Sequence, residues 1–282
     1  MDNLDVFESV FKRAVRDPYK YARPDFSRVL MLTDASYSQA SQTTQEWLSD
    51  HPLFSNAEFQ KIESATYNQW IEIEPTIQKI DPSLIVTHRL LKEPPETSKH
   101  SLGAYLDTLA QATDCPILII PNSREEQGSM KIPDLKSVIA VADHLSGHGG
   151  LVSNAAAFTA DGGTLTLCHL EDEDTFSYYM DAIERIPEIN STVAREKIQR
   201  QLLAKPRQYI ETVTAVLKTD LPNISIDSVI EFGHLIDRYR QAIAKRQAGL
   251  LVFESKDDTQ LAMHSVGYSL AIEFTETPLL LI

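Results

Sequence analysis

Short, almost purely apolar segments recur along the chain and alternate with segments of helical periodicity. Most of these segments are continuously apolar, which is typical of strands buried on both faces of a parallel sheet. The strand candidates lie at 28–33, 83–87, 116–120, 137–142, 164–169, 226–232, 249–253 and 278–282. The helical segments between them lie at 67–80, 101–112, 151–160, 192–218, 235–247 and 259–274. This βαβ alternation predicts a doubly wound α/β fold.

The chain contains an internal repeat. Each half opens with an apolar strand that ends in aspartate, VLMLTD at Asp34 and VIAVAD at Asp143. Each half closes with a helix that begins His-Ser-x-Gly and leads into Pro and an aliphatic strand. The first copy reads HSLGAYLDTLAQATDCPILII from His100, and the second reads HSVGYSLAIEFTETPLLLI from His264. A repeat of this length predicts tandem domains rather than a solenoid.

A polar, proline-bounded stretch at 121–133 separates the two copies, and we take residues 126–133 as a linker. The first domain is then expected at 1–125 and the second at 134–282. The first 26 residues are additional to the repeat and carry an apolar stripe at helical spacing. We expect this N-terminal helix to pack on its own domain, with binding of a partner as the alternative.

Charge and composition argue against several classes of partner. The 282 residues include 26 basic and 40 acidic side chains, a formal net charge of −14, and neither half is basic. We therefore expect no nucleic-acid or membrane partner. No apolar run approaches the roughly 20 residues that span a bilayer, and the acidic start lacks a signal-peptide profile. Cys115 and Cys168 lie in apolar segments, which predicts reduced core cysteines in a cytoplasmic protein.

With these segments the chain resembles the universal stress protein family in tandem form. The resemblance is strongest over 137–282, where SVIAVAD, LVSNAAAFTADGG, TLTLCHLED and SVIEFGHLIDRYRQAIAKRQAGLLVF follow the family order and PLLLI is similar to its closing strand. The first half matches at RVLMLTDAS and from SLIVTH to PILIIP. The span between these two matches is short, so one strand–helix pair is expected to be lost or trimmed there.

The resemblance implies two doubly wound, parallel five-stranded sheets in the order 3-2-1-4-5, the first of them trimmed. Strand 5 is then the edge of each sheet, and PILII and LLLI are apolar edges that invite aggregation if they stay unpaired. We predict that these edges pair antiparallel, which makes the chain an internal pseudo-dimer. Further dimerisation of the whole chain stays open.

Nucleotide-binding members of the family carry Gly-x2-Gly-x9-Gly-Ser/Thr after the fourth strand, and its glycines let the backbone wrap the phosphates. The matching segments here are HRLLKEPPETSKHS and ESKDDTQLAMHS, which contain no glycine and several carboxylates. We therefore expect no cofactor, with ATP, bound weakly or not at all, as the one candidate.

Four residues match the family's ligand site by position. Asp34 and Asp143 match the aspartate that lines the adenosine pocket, and Ser101 and Ser265 stand where the motif has Ser/Thr. A residual site is expected in the second half, around Asp143, Ser265 and Gly267, where a helix N-terminus offers amides to an anion. Two alternatives stay open: the aspartates as caps of the following helices and the serines as N-caps.

Other chemistries have weaker sequence support. His144, His169 and His234 follow the first three strands of the second half, so a zinc site on that rim stays open beside isolated rim histidines. The glycines at 147–150 lack the Rossmann spacing because Val152 stands where Gly or Ala is needed, and no G-x-S-x-G occurs. We expect a non-enzymatic stress-response protein that binds a small ligand or a partner protein. The alternative is a nucleotide-dependent enzyme that uses the cleft between strands 1 and 4 of the second domain.

Overall fold

In the computed structural model, the described residues form one nine-stranded, mostly parallel sheet with helices on both faces. The structure describes residues 19–94, 97–98, 100–121, 133–141, 149–255 and 265–282. Residues 1–18 of the N-terminal segment expected to form a helix, and residues 126–132 of the linker, lie outside this part of the chain.

Strands and helices alternate as the sequence predicts, and three further elements, Ser38–Asp50, Glu58–Glu63 and Glu173–Glu184, lie outside the predicted segments. The strands are β1 (Arg28–Thr33), β2 (Glu58–Glu63), β3 (Leu84–His88), β4 (Ile117–Ile120), β5 (Ser137–Val141), β6 (Thr164–Asp172), β7 (Ser225–Gly233), β8 (Leu250–Phe253) and β9 (Leu279–Leu281). The helices are α1 (Ser38–Asp50), α2 (Trp70–Ile80), α3 (Ala104–Ala112), α4 (Gly149–Phe158), α5 (Glu173–Glu184), α6 (Ser191–Asp220), α7 (Leu235–Arg246) and α8 (Ser265–Glu273).

The strand order across the sheet is β2-β1-β3-β4-β9-β8-β5-β6-β7. In the second half the order of β5 to β9 is 3-2-1-4-5, as predicted from the sequence. The first half places only α1, β2 and α2 between β1 and β3, so it has one strand fewer than the second half in the described residues. In these residues β2 forms an edge of the sheet.

The two halves join through the predicted antiparallel pair, which involves β4 and β9. Ile117, Leu118 and Ile119 lie opposite Leu281, Leu280 and Leu279. The remaining strand pairs of the sheet are parallel. Because the apolar edges pair, the strands of the two halves form one continuous sheet.

Both hydrophobic cores extend across this junction. One face of the sheet packs against α1, α4 and α6, and the other packs against α2, α3, α7 and α8. On the first face, Leu118 and Leu280 belong to the same buried cluster as residues of β1 and β6. Burial of apolar surface therefore stabilises the two halves together.

The segment before β1 adds a second connection between the halves. The Tyr19 hydroxyl lies 3.1 Å from the Ser153 hydroxyl on α4. The Phe26 ring packs between Phe54 of the first half and Phe158 of α4, with both centroid distances at 5.6 Å. These contacts fix α4, a second-half helix, to the first half.

Two further expectations concern membrane spans and cysteines. Among the described helices, none combines the length and the apolar content needed to cross a bilayer. Cys115 and Cys168 are both free cysteines. Cys168 is buried and Cys115 is half-buried, and burial raises the pKa of each thiol to about 12, which disfavours the reactive thiolate.

Candidate functional site

The strand order of the first half reverses between β1 and β3, and α/β folds bind ligands at the carboxyl ends of strands at such a point. Asp34 follows β1 there, and His88 ends β3. The equivalent point of the second half lies between β5 and β8. Asp143 lies outside the described residues, and Ser265 is described only as the first residue of α8.

A histidine–tyrosine stack fills the first of these positions. The rings of His88 and Tyr37 are parallel to within 7°, with their centroids 4.9 Å apart. Burial lowers the pKa of His88 to about 4, against the raising effect of the nearby Asp34 carboxylate, and Lys61 lowers it further. The imidazole is therefore neutral at pH 7.

The stack of His88 and Tyr37 is shielded from solvent and is not placed to contact a substrate. Only 2% of His88 is accessible to solvent, and its Nδ1 has no hydrogen-bond partner among the described residues. A general base must contact the substrate from which it takes a proton, and no substrate reaches a side chain at this depth. The backbone oxygen of Asp34 accepts a hydrogen bond from the Tyr37 amide at 3.0 Å, which fixes the start of α1. These contacts serve packing.

The loop after β3 bends sharply without the help of glycine. Leu90 and Lys92 both have positive φ, 60° and 61°, a conformation that is unfavourable for residues with a Cβ. A backbone bond from the Leu90 amide to the Leu102 oxygen, at 3.1 Å, holds the bend. The Lys92 ammonium donates to the backbone oxygens of Ser64, at 2.8 Å, and Tyr67. Lys92 is therefore engaged within the protein and does not offer its full charge to a phosphate.

This bend places the Glu93 carboxylate at the N-terminus of α3. The Ala104 amide donates to Glu93 Oε1 at 2.7 Å, and the Gly103 amide donates to Ser101 Oγ at 3.0 Å. Amides at a helix N-terminus attract anions, and here an internal carboxylate takes that position. The N-cap residue of α3 is Gly103, with φ of 94°, so the alternative in which Ser101 is the N-cap is wrong. Ser101 instead binds the amide just before the helix.

Arg89 connects this loop to the second half. Its guanidinium donates to the backbone oxygens of Ser101 at 3.1 Å, Ala271 at 2.6 Å and Phe274 at 3.3 Å. The last two oxygens lie at the C-terminal end of α8, where a cation complements the helix dipole. Burial lowers the pKa of Arg89 to about 10, so the side chain stays charged at pH 7. Arg89 follows the carboxyl end of β3, and its guanidinium is engaged in contacts that join the two halves.

Gly267 in the second half has a different role from its repeat counterpart Gly103. It lies inside α8, where a Cβ would stand 3.1 Å from the backbone oxygen of Glu254 and 3.3 Å from the Phe253 ring. The glycine therefore lets α8 approach the end of β8 closely. Ser255, the counterpart of Arg89 in the repeat, donates its amide to the Ile282 oxygen at 2.9 Å.

The rim histidines pair with carboxylates. His169 Nε2 lies 2.9 Å from Glu171 Oε1, and His234 Nδ1 lies 3.1 Å from Asp174 Oδ2. His144 lies outside the described residues. Over the rest of the chain that the structure describes, no three His, Cys, Asp or Glu side chains gather in a way that would hold a metal ion.

Of the first-half candidates, Asp34 lies near His88, and the backbone oxygen of Ser101 accepts a hydrogen bond from Arg89. The two candidates therefore lie beside two consecutive residues of the chain. Sequence reasoning missed Glu93 as a helix cap and took it only as a charge that repels phosphate. No sequence pattern indicates this cap. In a capping box the Glu stands three residues after the N-cap, whereas Glu93 precedes Ala104 by eleven residues.

No protein-family model matches the chain, and no curated protein matches it significantly. Among solved structures, a putative universal stress protein from Pseudomonas aeruginosa UCBPP-PA14 is similar over 91% of this chain and 93% of its own, with TM-score 0.55 and 12% identity. A universal stress protein from Archaeoglobus fulgidus DSM 4304 is similar over 89% of this chain and 95% of its own, with TM-score 0.51 and 14% identity. At these identities the likeness shows the fold, which is that of universal stress proteins.

Proposed function

We propose that this protein is a non-enzymatic stress-response protein of the universal stress type, which acts by binding a small ligand or a partner protein and binds ATP weakly or not at all. The contact that carries the proposal is the 2.7 Å hydrogen bond from the Ala104 amide to the Glu93 carboxylate. In the family pattern the phosphate-binding segment leads into this helix. Here the protein's own carboxylate occupies the amide that an anionic ligand would use.

Other features of the first half also support a non-enzymatic protein that binds ATP weakly or not at all. His88 is neutral and shielded from solvent, and Lys92 and Arg89 are engaged with backbone oxygens. The side chains best suited to proton transfer or phosphate binding are thus committed to the fold. The net charge of −14 disfavours nucleic acid and anionic membranes as partners, and the two free cysteines fit a reducing, cytoplasmic setting.

The proposal keeps two domains, 1–125 and 134–282, joined by the linker at 126–133 as an internal pseudo-dimer. The fused sheet and the repeated contacts of Arg89 and Ser255 with the closing strands support this division. We place any residual nucleotide site in the second domain, around Asp143, Ser265 and Gly267. There the start of α8 offers amides that a ligand can reach in the family pattern.

The test is titration of the purified protein with ATP and magnesium at physiological salt. We expect a dissociation constant weaker than about 10 μM, which corresponds to about −7 kcal/mol. The variant Glu93→Ala removes the internal carboxylate, and we expect it to bind ATP about tenfold more tightly, or about 1.4 kcal/mol. Glu72→Ala is the matched control, because Glu72 accepts from the Asn68 amide at 2.8 Å at the start of α2. It should leave ATP affinity unchanged.

A wild-type dissociation constant below 10 μM, or ATP that stays bound through purification, would contradict weak binding. Equal ATP affinity in the wild type and Glu93→Ala would contradict the role of the internal carboxylate. Turnover of a nucleotide by the wild type that is lost in Asp143→Ala would favour the enzyme alternative. A thermal-shift screen of small molecules then searches for the ligand, since a ligand at 100 times its Kd stabilises by about 2.7 kcal/mol.

A further inference from the structure

A helical hairpin at one edge of the sheet extends beyond the packed core. It consists of α5, the connection at 185–190 and the first half of α6. In α6 the buried residues are Pro206, Ile210, Val213 and Leu217, all in its second half. From residue 181 to residue 205 no side chain is buried. The first half of α6 therefore lies outside both hydrophobic cores.

Exposed apolar side chains are concentrated on this hairpin. In the described part of the chain seven large hydrophobic side chains are exposed, and five of them lie here: Tyr178, Tyr179, Ile186, Ile189 and Val193. Tyr178 is 73% exposed and Tyr179 is 61% exposed, and the two rings contact each other at a centroid distance of 5.9 Å. A concentration of exposed large apolar side chains in one hairpin is typical of an interaction surface rather than of ordinary protein surface.

The two helices of the hairpin carry opposite charges. Helix α5 has four carboxylates and no basic side chain in its sequence EDTFSYYMDAIE. Residues 191–207 of α6 carry five basic side chains, Arg195, Lys197, Arg200, Lys205 and Arg207, against one acidic side chain, Glu196. Asp181, Glu184, Lys197 and Arg200 form no ion pair with any residue that the structure describes. Their charges are free to meet a partner.

We propose that this hairpin, residues 173–207, is the surface through which two copies of the chain associate. A twofold axis brings the same patch of both copies together, so α5 of one copy faces α6 of the other at two equivalent places. The acidic helix then meets the basic helix twice, and the tyrosine and isoleucine side chains meet across the axis. Two such hairpins form a four-helix bundle.

Charge complementarity favours a second copy over another kind of partner. The whole chain has a net charge of −14, so two copies repel each other over most of their surfaces. A basic partner would use only α5, and an acidic surface, such as an anionic membrane, would use only α6. A second copy is the partner that uses both charges together with the apolar residues between them.

The test measures the mass of the full-length protein in solution by analytical ultracentrifugation. We expect the wild type to form a dimer of 31.7 kDa chains, with an affinity that falls by at least about tenfold as salt is raised, because the charges are exposed. The double variant K197E/R200E reverses two charges on α6, and D181K/E184K reverses two charges on α5. Each double variant alone should be a monomer.

Mixing the two double variants provides the decisive measurement. In the mixed dimer both helix contacts again join opposite charges, so an equimolar mixture should regain the dimer. Circular dichroism of each variant checks that the hairpin is still folded.

Tyr178→Ser with Tyr179→Ser should also weaken the dimer by at least about tenfold, or about 1.4 kcal/mol. Tyr268→Ser, an exposed tyrosine on α8, is the matched control and should leave it intact.

Three results would overturn the proposal. One is a wild type that stays monomeric at every concentration it tolerates. The second is a dimer that both charge-reversal variants retain. The third is a wild-type monomer that binds vesicles of anionic lipid and loses that binding in K197E/R200E, which would assign the surface to a membrane instead.

Discussion

His88 and Arg89 are neighbours in sequence and are both almost completely buried, yet they differ in charge. The His88 imidazole has no hydrogen-bond partner for Nδ1 among the described residues, so desolvation keeps it neutral. The Arg89 guanidinium contacts three backbone oxygens, which compensate for the loss of water around its charge. The surroundings of each side chain therefore decide which of the two keeps its charge.

The depressed pKa of His88 makes stability depend on pH. The unfolded chain binds a proton at His88 near pH 6.5, whereas the folded protein binds one only near pH 4. Stability contributed by the neutral ring is therefore complete above pH 6.5 and falls between pH 6.5 and 4, by about 3 kcal/mol in total. Urea unfolding of the wild type and of His88→Phe, which keeps a ring on Tyr37, should show this loss only in the wild type. Identical pH profiles would refute the role of His88.

Arg89 should be far more important for stability than an exposed arginine. We expect Arg89→Ala to lower the free energy of unfolding by about 3–5 kcal/mol, because three buried backbone oxygens lose their donor. Arg28→Ala is the control, since Arg28 pairs with Asp81 at 2.7 Å on an exposed surface. Its loss should be below about 1 kcal/mol. Denaturant titration of both variants measures the difference, and equal losses would contradict the role of Arg89 as a tie.

Single residues also show where prediction from the sequence stops. The absence of glycines and the presence of acidic residues after β3 predicted poor phosphate binding, but not that Glu93 would bind the helix amide itself. That contact depends on positive φ at Leu90 and Lys92, which no local pattern indicates. Likewise, the oxygens on α8 that accept from Arg89 are distant in sequence, and no local pattern indicates them.

Among the secondary-structure elements, the buried ones were the easiest to predict. The apolar strands β1, β3, β4, β5, β6, β8 and β9 were placed to within a few residues, because burial on both faces leaves a continuous apolar run. β2, with the sequence EFQKIE, was missed because an edge strand is only partly buried. α1 was missed because its sequence SQASQTTQEWLSD is mostly polar and buries only three residues. The predicted start of α3 at residue 101 was early, since the helix begins at Ala104.

The start of α3 gives a test at the level of the helix. Gly103 has φ of 94°, and a Cβ there would lie 2.6 Å from Glu93 Cγ. Gly103→Ala should therefore lower the free energy of unfolding by about 1–3 kcal/mol. Gly150→Ala in α4 is the control, because no atom lies within 4 Å of the added Cβ. Alanine there should be neutral or stabilise by up to about 1 kcal/mol. Equal effects of the two substitutions on the unfolding midpoint would contradict this account.

For the whole molecule, the continuous sheet predicts joint unfolding of the two halves. The β4–β9 pair, Arg89 and Phe26 all join the halves, and both cores cross the junction. Differential scanning calorimetry should show one transition, with the calorimetric enthalpy equal to the van't Hoff enthalpy. Leu280→Ala, at a fully buried position of β9, should lower the free energy of unfolding by about 2–5 kcal/mol and shift that transition without splitting it. Two separate transitions in the wild type would refute joint unfolding.

The overall architecture was largely predictable because it follows from the repeat and from two apolar edges. The strand order of the second half, the trimmed first half and the antiparallel junction were all expected from the sequence. The crossing contacts of the segment at 19–26 were not, since nothing in that sequence names α4 as its partner.

β9 lies in the middle of the sheet, so the sheet is incomplete until this strand has been synthesised. β4 pairs with β9 through Ile117 and Leu281, so its apolar edge has no partner until the second half of the chain has been made. Ribosomes add about 5–20 residues per second, which leaves this edge uncovered for roughly 8–30 seconds on each nascent chain. During that interval neighbouring chains on one polysome present the same uncovered edge to each other. The junction that unites the finished molecule is therefore also an edge at which nascent chains can aggregate during synthesis.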